Sequence, residues 1–173
     1  AYITETLNIN MRIPINWLKE FVDLPKDTKA LTDKLTMAGH MLDKIDVVNG
    51  NIVLDLELRS NRADCYSIEG IAKEVGAIFS KPVRYPKTAT KLTKVEKLKD
   101  VSLTIKTPLV KRVMMVAISD VKIAPSPDWL RNRLIEYGMP SINNIVDLTN
   151  YVMIETGEPM HAFDMDKIGN SLE

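Results

Sequence analysis

The stretch of residues 142–164 constrains this chain most, because it combines a helical apolar pattern with an unusual density of amides. Apolar residues recur in it at three- and four-residue spacing: Ile145, Leu148 and Val152. Such spacing predicts one apolar face of a helix. Polar residues are expected on the other side: Asn143, Asp147 and Asn150. Asn and Asp pull the backbone out of helix through their own hydrogen bonds, so their density indicates a role beyond helix stability.

Helix capping accounts for part of this pattern. Asn144 and Asp147 have the three-residue spacing of an N-terminal capping box, so a structural role and a functional role both remain open for them. The turn at residues 157–159 is expected to fold the chain back and to bring His161 near Thr149 on the helix.

Two motifs in this stretch resemble a known family. The run NNIVDLTNYVM at residues 143–153, followed by PMHAFD at residues 159–164, is similar to the signature of the editing domain in the β subunit of bacterial phenylalanyl-tRNA synthetases. Three further stretches support the resemblance, at residues 12–22, 54–65 and 124–130. Together they cover the chain from about Met11 onward in the family's order, and residues 1–10 precede the family's usual start.

The resemblance implies a function in protein synthesis. Enzymes of this family join phenylalanine to its tRNA with ATP and Mg²⁺, on a catalytic α subunit that assembles with the β subunit into a heterotetramer. The β-subunit editing domain hydrolyses tyrosine wrongly attached to that tRNA. A second site can hold the extra hydroxyl of tyrosine by hydrogen bonds and thereby select the error. No cofactor is expected in this chain itself.

The site residues are carried over from the family motif position by position. Thr149 and His161 occupy positions linked to editing, and we expect them to be catalytic. Ester hydrolysis needs an oriented water and donors for the developing oxyanion. His161 is expected to orient water or the terminal ribose, while Thr149 shapes the pocket and supplies a hydroxyl. The residues expected to bind the substrate or tRNA are Asn143, Asn144, Asn150 and Tyr151.

The chain departs from the family pattern in three places. Pro140-Ser141 stands where relatives usually have Arg-Pro, which removes a cationic contact near the expected pocket. The Asn49-Gly50 turn leaves no room for the inserted tRNA-binding module of most bacterial relatives. The chain also stops at Glu173, short of a full editing domain. We therefore expect the chain alone to be inactive in deacylation.

Bulk composition describes an ordinary globular protein without a strong charge bias. The chain has 173 residues, 45% of them hydrophobic, and 23 basic residues balance 23 acidic ones. Phosphate neutralisation supplies most non-specific RNA affinity, so we expect weak RNA binding by this chain alone. A single cysteine, together with no bilayer-length apolar run and no secretory leader, favours a cytoplasmic location without membrane contact.

The first half of the chain shows clear helix and strand signals. A short helix is predicted around Trp17, whose spacing favours core packing over a base-stacking platform. Asp27 is a predicted cap for a second helix, and Ser67 for a third. Apolar alternation on both sides of Asn49-Gly50 predicts a two-stranded hairpin.

The loop before the third helix carries a pair of opposite charges and the single cysteine of the chain. Arg62 and Asp64 could touch RNA or a partner, but a loop-fixing ion pair is the favoured interpretation. Cys65 has no second Cys or His nearby in the sequence, so we expect no metal site and a buried thiol that behaves as a small hydrophobe.

The second half begins after a lysine-rich stretch. Residues 87–100 are predicted to be a solvated connector, although a phosphate-tracking patch stays open for its lysines. Two strands are expected next, the second over residues 113–123, and then a helix with Ser126 as cap and Gly138 as its end. The fold class is therefore α+β. Helices would pack on short, mainly antiparallel sheets in two small mixed domains: residues 1–86 and an incomplete editing domain at residues 101–173.

Two other functional classes compete with editing. The chain could be a non-catalytic scaffold that docks the two subunits and positions RNA, in which case the amide-rich helix would serve the fold. It could also be a free-standing editing-like module that acts on another aminoacyl-tRNA.

Overall fold

The computed structural model describes residues 9–85, 102–168 and 171–172. A three-stranded antiparallel sheet forms the centre of the first half, with strands β1 (Ile9–Pro14), β2 (Met41–Val48) and β3 (Asn51–Leu58) in the order β1-β3-β2. The predicted hairpin is confirmed. Asn49 and Gly50 have φ angles of 52° and 78° between β2 and β3, the left-handed conformation that a tight two-residue turn requires.

Strand β1 was not predicted, although its sequence carries the signal. Ile9, Met11 and Ile13 alternate with polar residues, and β1 pairs along its whole length with β3. Met11 lies opposite Leu56, and both side chains are buried. The strand therefore places the start of the family-like region at the edge of the sheet.

Three helices complete the core of the first half: α1 (Ile15–Phe21), α2 (Thr28–Met37) and α3 (Ile68–Phe79). Helices α1 and α2 contact the sheet, and α3 packs against both of them. Both predicted caps are confirmed, because Asp27 accepts a hydrogen bond from the backbone of Lys29 and Ser67 accepts one from Gly70. The helices contribute the largest fully buried side chains of the core: Trp17, Leu18, Phe21, Leu31, Leu35, Ile68 and Ile71. Because burial of each such side chain is worth about 1.5–3 kcal/mol, this cluster dominates the stability of the first half.

The second half adds helices α4 (Asp128–Tyr137), α5 (Asn144–Thr156) and α6 (Met165–Ile168), and a short parallel pair of β4 (Ser102–Leu103) with β5 (Ser171–Leu172). Helices α4 and α5 pack onto the core of the first half through Leu130, Leu134 and Ile154. The α+β fold class is confirmed. The division into two domains stays a prediction, since the connector at residues 87–100 lies outside the described residues.

Two local predictions in the second half are wrong. Residues 113–123 form no strand, and several of their apolar side chains are exposed, because no described strand lies beside them to pair with. Ser126 does not cap α4, which has Pro127 at its N-cap and begins at Asp128. The Ser126 hydroxyl is instead bonded to a buried carboxylate on α5. Gly138 ends α4 as predicted, with a φ of 98°.

None of the helices in the described part of the chain is long and apolar enough to cross a membrane.

Candidate functional site

Helix α5 begins one residue earlier than the capping-box interpretation required. The Asn143 side chain accepts hydrogen bonds from the backbone of Ile145 and Val146, each at 3.0 Å, and so caps the helix. The predicted box of Asn144 with Asp147 is therefore wrong. Asn144 instead donates to the Lys122 carbonyl at 2.9 Å and accepts from the backbone of Ala124 at 3.1 Å. It ties the irregular segment before α4 to the start of α5.

Asp147 is a buried anchor between α5 and the loops on either side of α4. Its carboxylate accepts hydrogen bonds from the Ser126 and Ser141 hydroxyls at 2.5 Å and from the Ile142 backbone at 2.8 Å. Burial alone raises the pKa of this carboxyl, but the bonds from Ile142, Ser126 and Ser141 outweigh that effect and hold the pKa below its usual range. Asp147 therefore stays ionised and fixes the start of the helix.

The apolar stripe predicted for α5 does not face the core. Leu148 is 48% exposed, whereas the fully buried residues of the helix are Asp147 and Ile154. Tyr151 lies between these two on the same face and packs against the core cluster. The helical spacing predicted a helix correctly but not its buried face. A carboxylate that accepts three hydrogen bonds can occupy a buried position that a sequence pattern assigns to apolar residues.

An aromatic cluster joins α5 to the first half of the chain. The Tyr151 ring stacks on Trp17 with centroids 4.9 Å apart and meets the edge of Trp129 at 5.5 Å. The Arg133 guanidinium lies over the Trp17 ring, 5.1 Å from its centroid, and donates to the Tyr151 hydroxyl. Trp17 is only 1% exposed, so the core-packing interpretation is confirmed and its ring has no free face for a base. Tyr151 thus has a structural partner on each side.

Removing the Tyr151 hydroxyl should reveal how strongly the cluster holds the helix. This hydroxyl donates to Glu155 and accepts from Arg133. Tyr151→Phe keeps the ring stack and is expected to lower the free energy of unfolding by about 1–2 kcal/mol, measured by urea denaturation. The matched control is Tyr85→Phe at a 59% exposed position, where we expect a change below about 0.5 kcal/mol. Equal effects at both positions would contradict this role.

The remaining candidates, Thr149, Asn150 and His161, are less engaged by the fold. The Thr149 hydroxyl donates to the Val146 carbonyl at 2.8 Å and keeps acceptor capacity. Asn150 is half-buried, and no described residue forms a hydrogen bond with its amide. His161 is exposed and meets the edge of Phe163 at 4.6 Å. Within residues 102–168, no hydrogen bond joins Thr149 to His161, so their proximity stays a prediction.

The turn that leads to His161 follows α5 directly. Gly157 caps the helix with a φ of 82° and donates its backbone N–H to the Met153 carbonyl at 2.8 Å. The helix therefore ends where the predicted turn at residues 157–159 begins. The following segment lies exposed at the surface through Lys167. The side chains of His161 and of its neighbour Phe163 are accordingly accessible to solvent.

A surface cavity of about 290 Å³ lies where the end of α5 meets the start of α3. Its lining is mainly polar and comprises Ala63, Asp64, Ser67, Gly70, Lys73, Thr156, Gly157 and Glu158. None of the residues predicted from the family motif contributes to it. The cavity therefore lies apart from the candidate editing residues.

The loop before α3 is fixed by ion pairs, as favoured from the sequence. Arg62 binds the Asp64 carboxylate through two nitrogens, at 3.0 and 2.8 Å, and also contacts Glu74. The hydrogen bond from Arg62 lowers the pKa of Asp64 to about 2. Cys65 is buried as predicted, and this burial raises the pKa of its thiol to about 12.

Cys65 has two potential metal ligands beside it in the fold, contrary to the expectation from its sequence neighbours. No His or Cys is near Cys65 in the sequence, but folding brings His40 and Glu74 beside it. One potential ligand atom from each of the three residues lies within 4.8 Å of the others. Sequence spacing gave no sign of this group, since each residue comes from a different element.

Comparison with known proteins shows which family this chain resembles. A family model described as the B3/4 domain matches residues 109–173, the region that contains α4, α5 and His161. The β subunit of phenylalanine–tRNA ligase from Rhodopirellula baltica is 35% identical over 162 residues, covering 92% of this chain and 24% of the relative. The corresponding subunits from Fusobacterium nucleatum and Dehalococcoides mccartyi are 40% and 46% identical, covering 70% and 69% of this chain and 15% of each relative.

The chain thus falls in the class of aminoacyl-tRNA ligase subunits that carry a B3/4 domain. It belongs to the phenylalanine–tRNA ligase β-subunit family, as its motifs indicated. The chain spans about a quarter or less of the length of these relatives.

The match to the Rhodopirellula baltica subunit also bears on the short turn between β2 and β3. Because it covers 92% of this chain in one alignment of 162 residues, it runs through Asn49-Gly50 and leaves no room there for an inserted domain.

Proposed function

We propose that this chain functions as part of a β subunit that supports ATP-dependent charging of tRNA with phenylalanine and hydrolyses mischarged tyrosyl-tRNA. The supporting observation is the match of nearly the whole chain to phenylalanine–tRNA ligase β subunits. The partners are a catalytic α subunit and tRNA, in the cytoplasm. ATP and Mg²⁺ belong to the chemistry of the partner subunit.

The proposed editing residues are those that the fold leaves available. His161 is exposed on the segment after α5, and Asn150 has an amide without a hydrogen-bond partner in the described part of the chain. We assign His161 the orientation of water or of the terminal ribose, and Thr149 a pocket-lining hydroxyl. Asn143, Asn144 and Tyr151 hold the helix and its neighbouring segments in place, so their contribution to RNA binding is indirect.

His161 provides the direct test of this proposal. In a full-length β subunit that contains this sequence, assembled with its partner, His161→Ala should lower the rate of tyrosyl-tRNA hydrolysis by about 100-fold or more. A ring that orients the attacking water and also takes its proton contributes at least that much. The matched control is Lys167→Ala, an exposed change on the next helix, which should leave the rate unchanged. An unchanged rate in His161→Ala would remove this residue from the mechanism.

The isolated chain is expected to behave differently from the assembled subunit. Incubated alone with tyrosyl-tRNA, the chain of 173 residues should release tyrosine no faster than buffer does. The physical reason is that the segment carrying His161 is exposed, whereas stabilising a developing oxyanion needs donors preorganised in a site that excludes water. Release well above the buffer rate would show that this chain contains a complete site.

A scaffold role is the second candidate, and one observation favours it. Three polar residues of the amide-rich helix already serve the fold: Asn143 as cap, Asn144 as tether and Asp147 as buried anchor. Under this alternative, Asn144→Ala would weaken assembly with the partner subunit, measured by sedimentation, while His161→Ala would leave editing intact. The two variants therefore separate the candidates.

A further inference from the structure

Three potential metal ligands meet in the interior of the first half. His40 lies between α2 and β2, Cys65 ends the short turn at Ala63–Cys65, and Glu74 lies on α3. The side chains of His40 and Cys65 are buried, and Glu74 reaches them from a partly exposed position. One ligand atom from each lies within 4.8 Å of the other two. The fold thus brings potential metal ligands from three separate parts of the chain to one point.

The donor set is that of a zinc-type ion. An imidazole nitrogen, a thiolate sulfur and a carboxylate oxygen suit Zn²⁺, whereas Mg²⁺ and Ca²⁺ prefer oxygen alone. Tetrahedral Zn²⁺ sets its ligand atoms about 3.5 Å apart. Nε2 of His40 is already 3.2 Å from the Glu74 carboxylate. Binding would therefore require the sulfur to approach by only about 1 Å.

The two ring nitrogens of His40 have different surroundings. Nε2 of its ring contacts Glu74, but Nδ1 is buried and lacks a hydrogen-bond partner in the described part of the chain. Buried polar atoms without partners are uncommon in native proteins. An ion bound at Nε2, the nitrogen that faces Glu74, would hold the neutral ring in one tautomer, with its proton on Nδ1.

We propose that His40, Cys65 and Glu74 bind a single Zn²⁺ ion, with water as the fourth ligand on the side where Glu74 reaches the surface. As the metal–sulfur bond forms, the Cys65 thiol releases its proton to solvent, and no electron is transferred. His40 binds as a neutral imidazole with its proton on Nδ1, so Nε2 gives up the proton that it now donates to Glu74. Glu74 binds the ion through Oε2, the oxygen that faces His40, while its Oε1 keeps the contact with Arg62. The thiolate and the Glu74 carboxylate together balance the charge of the ion.

Such an ion would be structural. It would tie the turn after α2 and the loop before α3 to α3 itself. None of its ligands lies on α5 or beside His161 in the sequence. The inference is therefore independent of the proposed editing function, and either can fail without the other.

Titration of the metal-free chain of 173 residues with Co²⁺, followed by competition with Zn²⁺, tests this site. We expect a thiolate-to-cobalt charge-transfer band, visible bands of tetrahedral intensity and a dissociation constant for Zn²⁺ below about 10 μM. Cys65→Ser should abolish the charge-transfer band, and His40→Gln should weaken Zn²⁺ binding by about 100-fold or more, since even outer partners of a metal ligand contribute up to that factor.

The control is Glu69→Gln, which changes a carboxylate on the same helix that is paired with Lys73 instead of facing the cluster. It should bind Zn²⁺ as the unmodified chain does. Circular dichroism of each variant without metal separates loss of the site from loss of the fold, and Glu74→Gln provides a milder change if Cys65→Ser unfolds. Weak octahedral Co²⁺ spectra, or Zn²⁺ binding that survives both Cys65→Ser and His40→Gln, would overturn the proposal.

Discussion

Replacing Asp147 with alanine is expected to lower the free energy of unfolding by about 3–5 kcal/mol, because three donors would lose a buried ionised acceptor at once. Those donors are the hydroxyls of Ser126 and Ser141 and the backbone N–H of Ile142. Both loops around α4 depend on them. Chemical denaturation of the purified variant, compared with the unmodified chain, measures the loss.

A matched control distinguishes this anchor from an ordinary carboxylate. Asp128 lies in the first turn of α4 with a side chain that is 80% exposed, and Asp128→Ala should cost less than about 1 kcal/mol. A similar loss of stability in the two variants would show that the hydrogen bonds to Asp147 do not contribute the expected free energy of unfolding.

Acid provides a second test of the same carboxylate. The folded-state pKa of Asp147 lies below its unfolded value, so its ionised form stabilises the fold above the unfolded pKa. That contribution is lost as the pH falls through the folded pKa. The stability gap between the unmodified chain and Asp147→Asn should therefore be full at neutral pH and narrow below about pH 4. A gap that stays constant into acid would contradict a depressed pKa.

Replacing Gly70 with alanine is the other change with a large expected effect. A Gly-to-Ala change inside a helix ordinarily stabilises it by about 1 kcal/mol. At Gly70, however, an added Cβ would lie 2.0 Å from the backbone carbonyl oxygen of Asp64. Because backbone cannot rotate away as a side chain can, we expect Gly70→Ala to lower the free energy of unfolding by about 3 kcal/mol or more.

Gly76, on the same helix, gives the comparison. A Cβ there would meet the Lys81 carbonyl oxygen and a methyl group of Val83, each at 2.9 Å. These contacts are tight but longer, so Gly76→Ala should destabilise the chain less than Gly70→Ala in the same thermal melt. A stabilised Gly70→Ala variant would show that the loop before α3 does not pack against the helix as described.

Elements with strong local signals were predictable from the sequence. Asp27 and Ser67 cap their helices because a short oxygen-bearing side chain satisfies free backbone N–H groups regardless of the rest of the fold. The hairpin at Asn49-Gly50 follows equally from the φ angles that these two residues tolerate. Local chemistry decides such features, so no knowledge of distant contacts is needed.

Features decided by tertiary contacts were not predictable. The buried face of α5 was assigned to Leu148, yet the chain buries Asp147 because donors from two other loops surround it. The apolar alternation over residues 113–123 indicated a strand, but a strand also needs a neighbour with which to pair, and none of the described residues supplies one. The group of His40, Cys65 and Glu74 likewise depends on three elements meeting.

The candidate editing residues came from the family motif. In the structure they differ in how many contacts they make with the rest of the fold. Asn143 and Asn144 make hydrogen bonds that position α5, and Tyr151 packs in the aromatic cluster. His161 and Asn150 have no such structural task in the described part of the chain. A residue motif therefore identifies a region, while contacts decide which members of the motif remain available to a substrate.

The most direct test is hydrolysis of tyrosyl-tRNA by a full-length β subunit that contains this sequence, assembled with its α subunit. The rate should exceed both the buffer rate and the rate for phenylalanyl-tRNA by at least about 10-fold, because an editing site selects the additional hydroxyl of tyrosine. Loss of tyrosine and phenylalanine from tRNA at the same rate as in buffer would contradict the account.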